Sequence, residues 1–174
     1  MALSHKKQQQ KKQKKQQKRK QHNKRGNLIP LSQCPIQDCL VHSEIWDSGI
    51  GTVCLTRRTQ TGRFYLGNYL LDIWFLGVKD SFVREIDPLQ ISYLMESQPL
   101  EEKSPAYAKA LIMASIEYGR KNGVEPKLDD KSKKFIEHIP YDPQAYHFEF
   151  GKDGSPLYIG SLDDELGVEL IDHE

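Results

Sequence analysis

The chain has no long hydrophobic run, few cysteines and, over its first 26 residues, no acidic residue at all. No stretch approaches the roughly 20 apolar residues of a membrane-spanning helix, and no apolar region follows the lysine-rich start, which argues against a secretory signal. Three cysteines, an odd number, argue against a disulfide framework and indicate a reducing compartment. We therefore expect a cytoplasmic protein without a membrane segment.

Common catalytic motifs are missing as well. The sequence contains neither glycine-rich phosphate-binding pattern, G-x-G-x-x-G or G-x-x-x-x-G-K-[ST], and neither G-x-S-x-G nor H-E-x-x-H. Cys34, Cys39 and His42 have a C-x4-C-x2-H spacing, but zinc takes four ligands and the fourth would have to be a distant histidine. We expect no metal and no cofactor, and whether any reaction is catalysed stays open.

What the sequence does have is a segregation of charge. Met1 to Gly26 contain 11 Lys and Arg and no Asp or Glu, so the remainder holds 25 − 11 = 14 basic and 24 acidic residues, a net charge of −10. Blocks of like charge cannot build a core and commonly act as interaction tails, so residues 1–26 are expected to be disordered. The tail has no aromatic residue, so it is expected to read charge and not base sequence.

This tail predicts association with RNA or the ribosome. Each contacted phosphate releases counterions, which makes such binding strong at low salt. The alternatives are a solubilising tail, an acidic membrane or protein surface, and a contact with the chain's own acidic body. The predicted RNA-binding residues are Lys6, Lys7, Lys11, Lys12, Lys14, Lys15, Lys18, Arg19, Lys20, Lys24 and Arg25.

Residues 27–162 are expected to form one domain, followed by an acidic tail at 163–174. Gly51 to Arg58 alternates as a strand, Thr59 to Gly62 forms a hairpin turn, and Gly67 is expected to mark a bulge or break in the next apolar run. Arg57, Arg58, Arg63 and Tyr65 around this hairpin form either a second basic contact to RNA or a solvated tip.

The second half of this domain predicts helices. Pro88 and Pro105 follow N-cap residues, and Asp129 or Asp130 begins a third helix. Tyr146–Phe150 and Leu157–Ile159 flank a glycine turn and predict a closing hairpin. The whole pattern indicates an α+β fold, an antiparallel sheet with about three helices packed on one face.

Asp72 interrupts the apolar run at 70–76. A carboxylate inside a buried strand costs several kcal/mol unless it is paired or hydrogen-bonded. In one interpretation Asp72 is a metal ligand or general base of a hydrolase or nuclease, together with Asp80 and Glu44. Lys79 would then belong to an anion-binding corner directly after the strand. The other, commoner among proteins, is a structural carboxylate that faces outward or pairs with a nearby cation.

Four segments carry a family resemblance: GIGTVCLTRR at 49–58, YLLDIWFLGVKD at 69–80, the helix at 106–123 and FGKDGSPLY at 150–158. They resemble a family of uncharacterised bacterial proteins, over most of residues 34–163. The resemblance implies one folded bacterial domain with a separately attached basic tail, and it carries over no activity or residue role.

Three functional hypotheses follow. The first is a non-enzymatic RNA- or ribosome-associated protein held by its tail, whose acidic body meets a protein partner. The second is a metal-dependent hydrolase or nuclease using Asp72 and Asp80. The third is a protein-interaction adaptor, which requires an exposed apolar patch of several hundred Å².

Overall fold

The computed structural model describes residues 29–160, so the expectations for the tails at 1–26 and 163–174 lie outside the described residues. Within this part, five strands form one antiparallel sheet in the order β4-β3-β2-β1-β5. Each helix in this part of the chain is too short or too polar to span a lipid bilayer. The strands are β1 (Ile36–His42), β2 (Ile50–Arg58), β3 (Phe64–Asp72), β4 (Gly77–Ile86) and β5 (Leu100–Glu102), and the helices are α1 (Ile45–Ser48), α2 (Pro88–Ser97), α3 (Pro105–Lys121) and α4 (Asp130–Ile136).

The predicted hairpin at the centre of the sheet is confirmed. β2 and β3 pair along their whole length, from Ile50 opposite Asp72 to Arg58 opposite Phe64. Gly62 closes the turn with a φ of 82°, a left-handed conformation that glycine adopts without a Cβ clash. The chain therefore has the predicted α+β fold with an antiparallel sheet.

The three longer helices begin where capping residues predict. Asp87, Ser104 and Asp129 each accept a hydrogen bond from a backbone N–H in the first turn of the helix that follows, at 2.9, 3.1 and 2.6 Å. Each bond satisfies a donor that the helix itself leaves unpaired, which typically contributes about 1 kcal/mol. These local signals fix the starts of α2, α3 and α4.

The helices lie on both faces of the sheet, not all on one face as expected. α3 and α4 cover the face formed by Val53, Leu55, Tyr69 and Leu71, whereas α2 places Ile91 against the opposite face. β4 and β5 occupy opposite edges, about 19 Å apart at 4.8 Å per strand. The connection between them must cross one face, and α2 makes that crossing.

Gly67 does not mark a bulge or a break, because β3 runs through it without interruption. The bulge lies instead between Leu70 and Leu71, in the pairing of β3 with β4. A Cβ on Gly67 would lie 2.6 Å from Cδ1 of Phe135. The glycine is therefore needed for the close approach of α4 to the sheet.

The predicted closing hairpin is absent. Residues 141–160, which we call the C-terminal strap, contain only an isolated bridge between Lys152 and Ser155. The backbone N–H groups of Gly151 and Leu157 donate instead to the carbonyls of Ile73 and Trp74, both at 2.9 Å. Alternating aromatic residues here pack against the core, and no strand within residues 29–160 pairs with them.

Two buried cations hold the C-terminal end of α4. Arg57, 4% exposed, donates from Nε to the Phe135 carbonyl at 3.1 Å and from Nη1 to the Cys34 carbonyl. Lys109 Nζ donates to the carbonyls of Ile136 and Glu137 at 2.7 and 3.0 Å. Burial lowers the pKa of both groups. Helix-end carbonyls carry partial negative charge and solvate such cations.

We predict that Arg57→Leu lowers the free energy of unfolding by about 2–3 kcal/mol, because two buried carbonyls lose their donor. The matched control is Arg58→Leu, since Arg58 is the exposed neighbour on β2 and should change stability by about 0.5 kcal/mol or less. Urea unfolding followed by circular dichroism measures both. Equal midpoints for the two variants would contradict the role assigned to Arg57.

Candidate nucleic-acid interface

The first described residues, which follow the N-terminal tail in the sequence, contact α4. The first described residues lead into a 3-10 turn at Leu31–Gln33, in which Gln33 N donates to the Pro30 carbonyl at 2.9 Å. Arg57 then holds the Cys34 carbonyl. The segment at 30–34 is therefore held by the same buried guanidinium that binds α4.

A groove of about 520 Å³ opens next to this attachment point. We call it the tail-side groove. Its floor is apolar, from half-buried Leu31, Tyr65 and Val83 and buried Phe135. Its polar rim comes from the first described turn, from β4 and from α4. The remaining lining residues are Pro30, Ser32, Arg84, Glu85, Lys131 and Lys134.

The rim of the groove is mainly cationic. Lys131 and Lys134 are both exposed and lie three residues apart, so they project from the same side of α4. Glu85 is the one carboxylate that lines the groove in the described part of the chain, and its Oε2 lies 3.4 Å from Arg63 Nη1. Tyr65 donates to the same oxygen at 3.4 Å.

The four residues predicted to form a basic contact around the first hairpin therefore do not share one surface. Tyr65 lines the groove, and Arg63 pairs with a residue of its rim. Arg57 is buried and not available to a ligand. The Arg58 guanidinium lies over the Phe64 ring, 5.5 Å from its centroid. The eleven predicted tail residues lie outside the described part of the chain.

Asp72 has a structural role in the geometry observed. It is 2% exposed, and its Oδ1 accepts hydrogen bonds from the backbone N–H groups of Trp74 and Phe75 at 3.0 and 2.9 Å. These bonds shape the turn between β3 and β4. The carboxylate therefore does not face outward, and its Oδ1 is satisfied by backbone donors of this turn.

The other residues of the hydrolase hypothesis do not form a metal site. Asp80 is exposed in β4, with its Oδ1 bonded to Ser81 N at 2.8 Å, Glu44 is exposed at the start of α1, and Lys79 is half-buried at the β4 bulge. Across residues 29–160, no group of three or more His, Cys, Asp or Glu side chains is arranged to hold a metal ion.

The cysteines are core residues. Cys34, Cys39 and Cys54 are all buried, and Cys39 and Cys54 contribute to opposite faces of the sheet. Burial raises the pKa of the Cys39 thiol to about 12 and that of Cys54 to about 11. Both thiols therefore stay protonated and unreactive at neutral pH.

Two further surfaces are notable. A second groove of about 570 Å³ is lined by Trp46, Tyr107 and the strap, but its rings stack on one another, with Trp46 and Phe148 centroids 5.9 Å apart. Elsewhere α2 exposes Leu89 (80%) and Tyr93 (72%) on one side. No contact among the described residues shows what covers these two side chains.

Sequence reasoning did not identify Lys131 and Lys134. Both follow the predicted start of the third helix, and their i, i+3 spacing would have placed them on one side of it. The groove itself was not predictable, because its floor joins residues from four separate segments of the chain.

In comparisons with known proteins, no family model, no curated protein and no solved structure matches this chain. The function is therefore argued from the chain's own charges and geometry.

We predict that Asp72→Ala lowers the free energy of unfolding by about 1–3 kcal/mol, because two backbone donors in the β3–β4 turn lose their acceptor. Asp72→Asn keeps an acceptor oxygen and should lose less than half of that amount. Chemical denaturation measures both variants. Wild-type stability of the alanine variant would show that the carboxylate does not hold the turn.

We predict a pH dependence from the buried thiols. Since burial raises the pKa values of Cys39 and Cys54 above 9.0, their contribution to stability is complete below pH 9 and is lost as the pH rises toward 11–12. The native chain at pH 8 should react with a thiol reagent at fewer than one cysteine, and the unfolded chain at all three. Rapid native labelling of Cys39 or Cys54 would contradict this.

Proposed function

We propose that this chain is a non-enzymatic RNA- or ribosome-associated protein of the cytoplasm, bound to RNA electrostatically by its N-terminal tail. The observation that carries the proposal is the charge of residues 1–26, which hold 11 basic and no acidic residues. Contact with phosphates releases the counterions condensed on RNA, which drives association without base recognition.

In this proposal the tail and the body have different roles. Residues 27–174 carry a net charge of −10, so their summed field opposes a polyanion and the tail supplies the attraction. The first described residues after the tail line a groove together with the exposed Lys131 and Lys134 of α4. The acidic surface elsewhere on the body would contact a protein partner.

The two other hypotheses stay predictions. The hydrolase or nuclease would need Asp72 to act as a ligand or base, although its Oδ1 accepts from two backbone amides. The adaptor hypothesis is favoured by the exposed side chains of Leu89 and Tyr93 on α2.

We predict that replacing all eleven tail Lys and Arg by Gln, in the full-length chain, lowers the affinity for ribosomal RNA at 100 mM salt about 100-fold or more. For the wild type, log K should fall with log salt at about 0.7–0.9 per contacted phosphate. Fluorescence anisotropy from 50 to 300 mM salt measures the affinity and its salt dependence. Sucrose-gradient sedimentation with ribosomes tests whether the chain binds them.

The matched control replaces the seven tail glutamines by Ser, which keeps every charge. This variant should bind RNA as the wild type does. Equal affinity of the Gln-neutralised chain and the wild type would overturn the proposed function.

A further inference from the structure

The tail-side groove lies where an RNA bound by the tail first meets the body. Pro30, Leu31 and Ser32 are among the first described residues after the tail, and all three line the groove. A ligand held by the tail is therefore confined near the groove, which raises its effective concentration there without any new contact.

The charge of the groove differs from that of the domain around it. Residues 29–160 contain 14 basic and 18 acidic residues. In the groove, Lys131 and Lys134 face a single carboxylate, Glu85, which lies near Arg63. Arg84 also borders the groove, with its guanidinium over the Phe82 ring at 5.3 Å. An anionic ligand is the chemical class that this rim fits.

The apolar floor of the groove favours a ligand with an apolar or aromatic part, which phosphate alone lacks. Tyr65 is half-buried with one side toward the groove, beside half-buried Leu31 and Val83. The Phe135 ring is not available for stacking, because it is buried and the Arg57 guanidinium covers it at 5.3 Å. An aromatic ring in a groove that is also lined by Arg84, Lys131 and Lys134 suits an unpaired base attached to its phosphates. The volume lies within the roughly 300–1,000 Å³ of small-ligand sites.

Resting on the proposed function, we propose that the tail-side groove binds single-stranded RNA as a second contact. Lys131 and Lys134 bind successive phosphates, and one base packs on Tyr65. An acidic peptide would satisfy the lysines equally, but RNA is favoured because the adjoining tail already selects a polyanion and an aromatic ring is present. The groove thereby gives a tail that binds RNA without selectivity a preference for RNA with unpaired nucleotides.

The test uses the full-length chain and a fluorescein-labelled 20-nucleotide oligouridine at 100 mM salt. The double variant Lys131→Gln/Lys134→Gln should bind about 5–20-fold more weakly and lower the salt slope by about 1.4, since each single-strand phosphate contact contributes about 0.7. The matched control is Lys133→Gln, an exposed α4 lysine that does not line the groove. It should change affinity less than about twofold.

A second pair of variants tests the base contact. Tyr65→Leu keeps an apolar floor but removes the ring, and should weaken binding about fivefold or more, whereas Tyr65→Phe should bind as the wild type does. Photocrosslinking of RNA containing 4-thiouridine should place a crosslink at Tyr65 or within residues 131–134. Thermal unfolding confirms that each variant is folded.

The outcomes separate the two proposals. RNA binding that does not depend on the tail charges overturns the proposed function. Tail-dependent binding with equal affinities for Lys131→Gln/Lys134→Gln and Lys133→Gln, and no crosslink in the groove, overturns the groove while leaving the tail proposal in place. If polyglutamate binds the wild type more tightly than Lys131→Gln/Lys134→Gln and Tyr65→Leu binds oligouridine normally, the groove takes an acidic peptide and the RNA inference is wrong.

Discussion

The Arg57 guanidinium is the interaction on which the arrangement of the body depends. This guanidinium is buried, and no carboxylate in the described part of the chain pairs with it. The carbonyls of Phe135 and Cys34 and the Phe135 ring solvate it instead. A buried cation needs such partners, because its desolvation otherwise costs several kcal/mol. One side chain of β2 thus positions both α4 and the segment that leads to the tail.

Lys109 completes this arrangement from the other side. Its ammonium group binds the last carbonyls of α4 and lies 5.4 Å from the Tyr141 ring. Because α4 is held at its C-terminal end, its exposed lysines have a defined position relative to β4. The tail-side groove is a consequence of this fixed geometry. The buried Arg57 and Lys109 position α4 and thereby its exposed lysines.

Features that depend on neighbours in sequence could be predicted, and features that depend on distant neighbours could not. The N-caps Asp87, Ser104 and Asp129 and the turn at Gly62 are local signals, and all four are confirmed. Gly67 was misread because its neighbour, Phe135, is 68 residues away. The alternating aromatic residues of the strap looked like a strand for the same reason, since the pattern does not reveal whether a pairing strand is present.

The candidate site shows the same limit. The charge of the tail is visible in composition alone, and Asp72 was correctly singled out as an unusual residue. The partners of Asp72 are backbone amides of the following turn, and only three-dimensional structure shows them. Arg57 was assigned to a surface hairpin, because no local signal distinguishes it from its exposed neighbour Arg58.

The C-terminal strap has a dynamic consequence. Its backbone connections to the rest of the body are the bonds of Gly151 and Leu157 to the β3–β4 turn, supported by ring contacts such as Phe150 on Tyr118 at 4.8 Å. With so few main-chain bonds, the strap forms its own opening unit and separates at a lower free energy than the five-stranded sheet. The bonded amides of Gly151 and Leu157 are therefore expected to exchange with solvent through this local opening. Each opening uncovers Trp74, whose ring Lys152 otherwise covers at 4.6 Å.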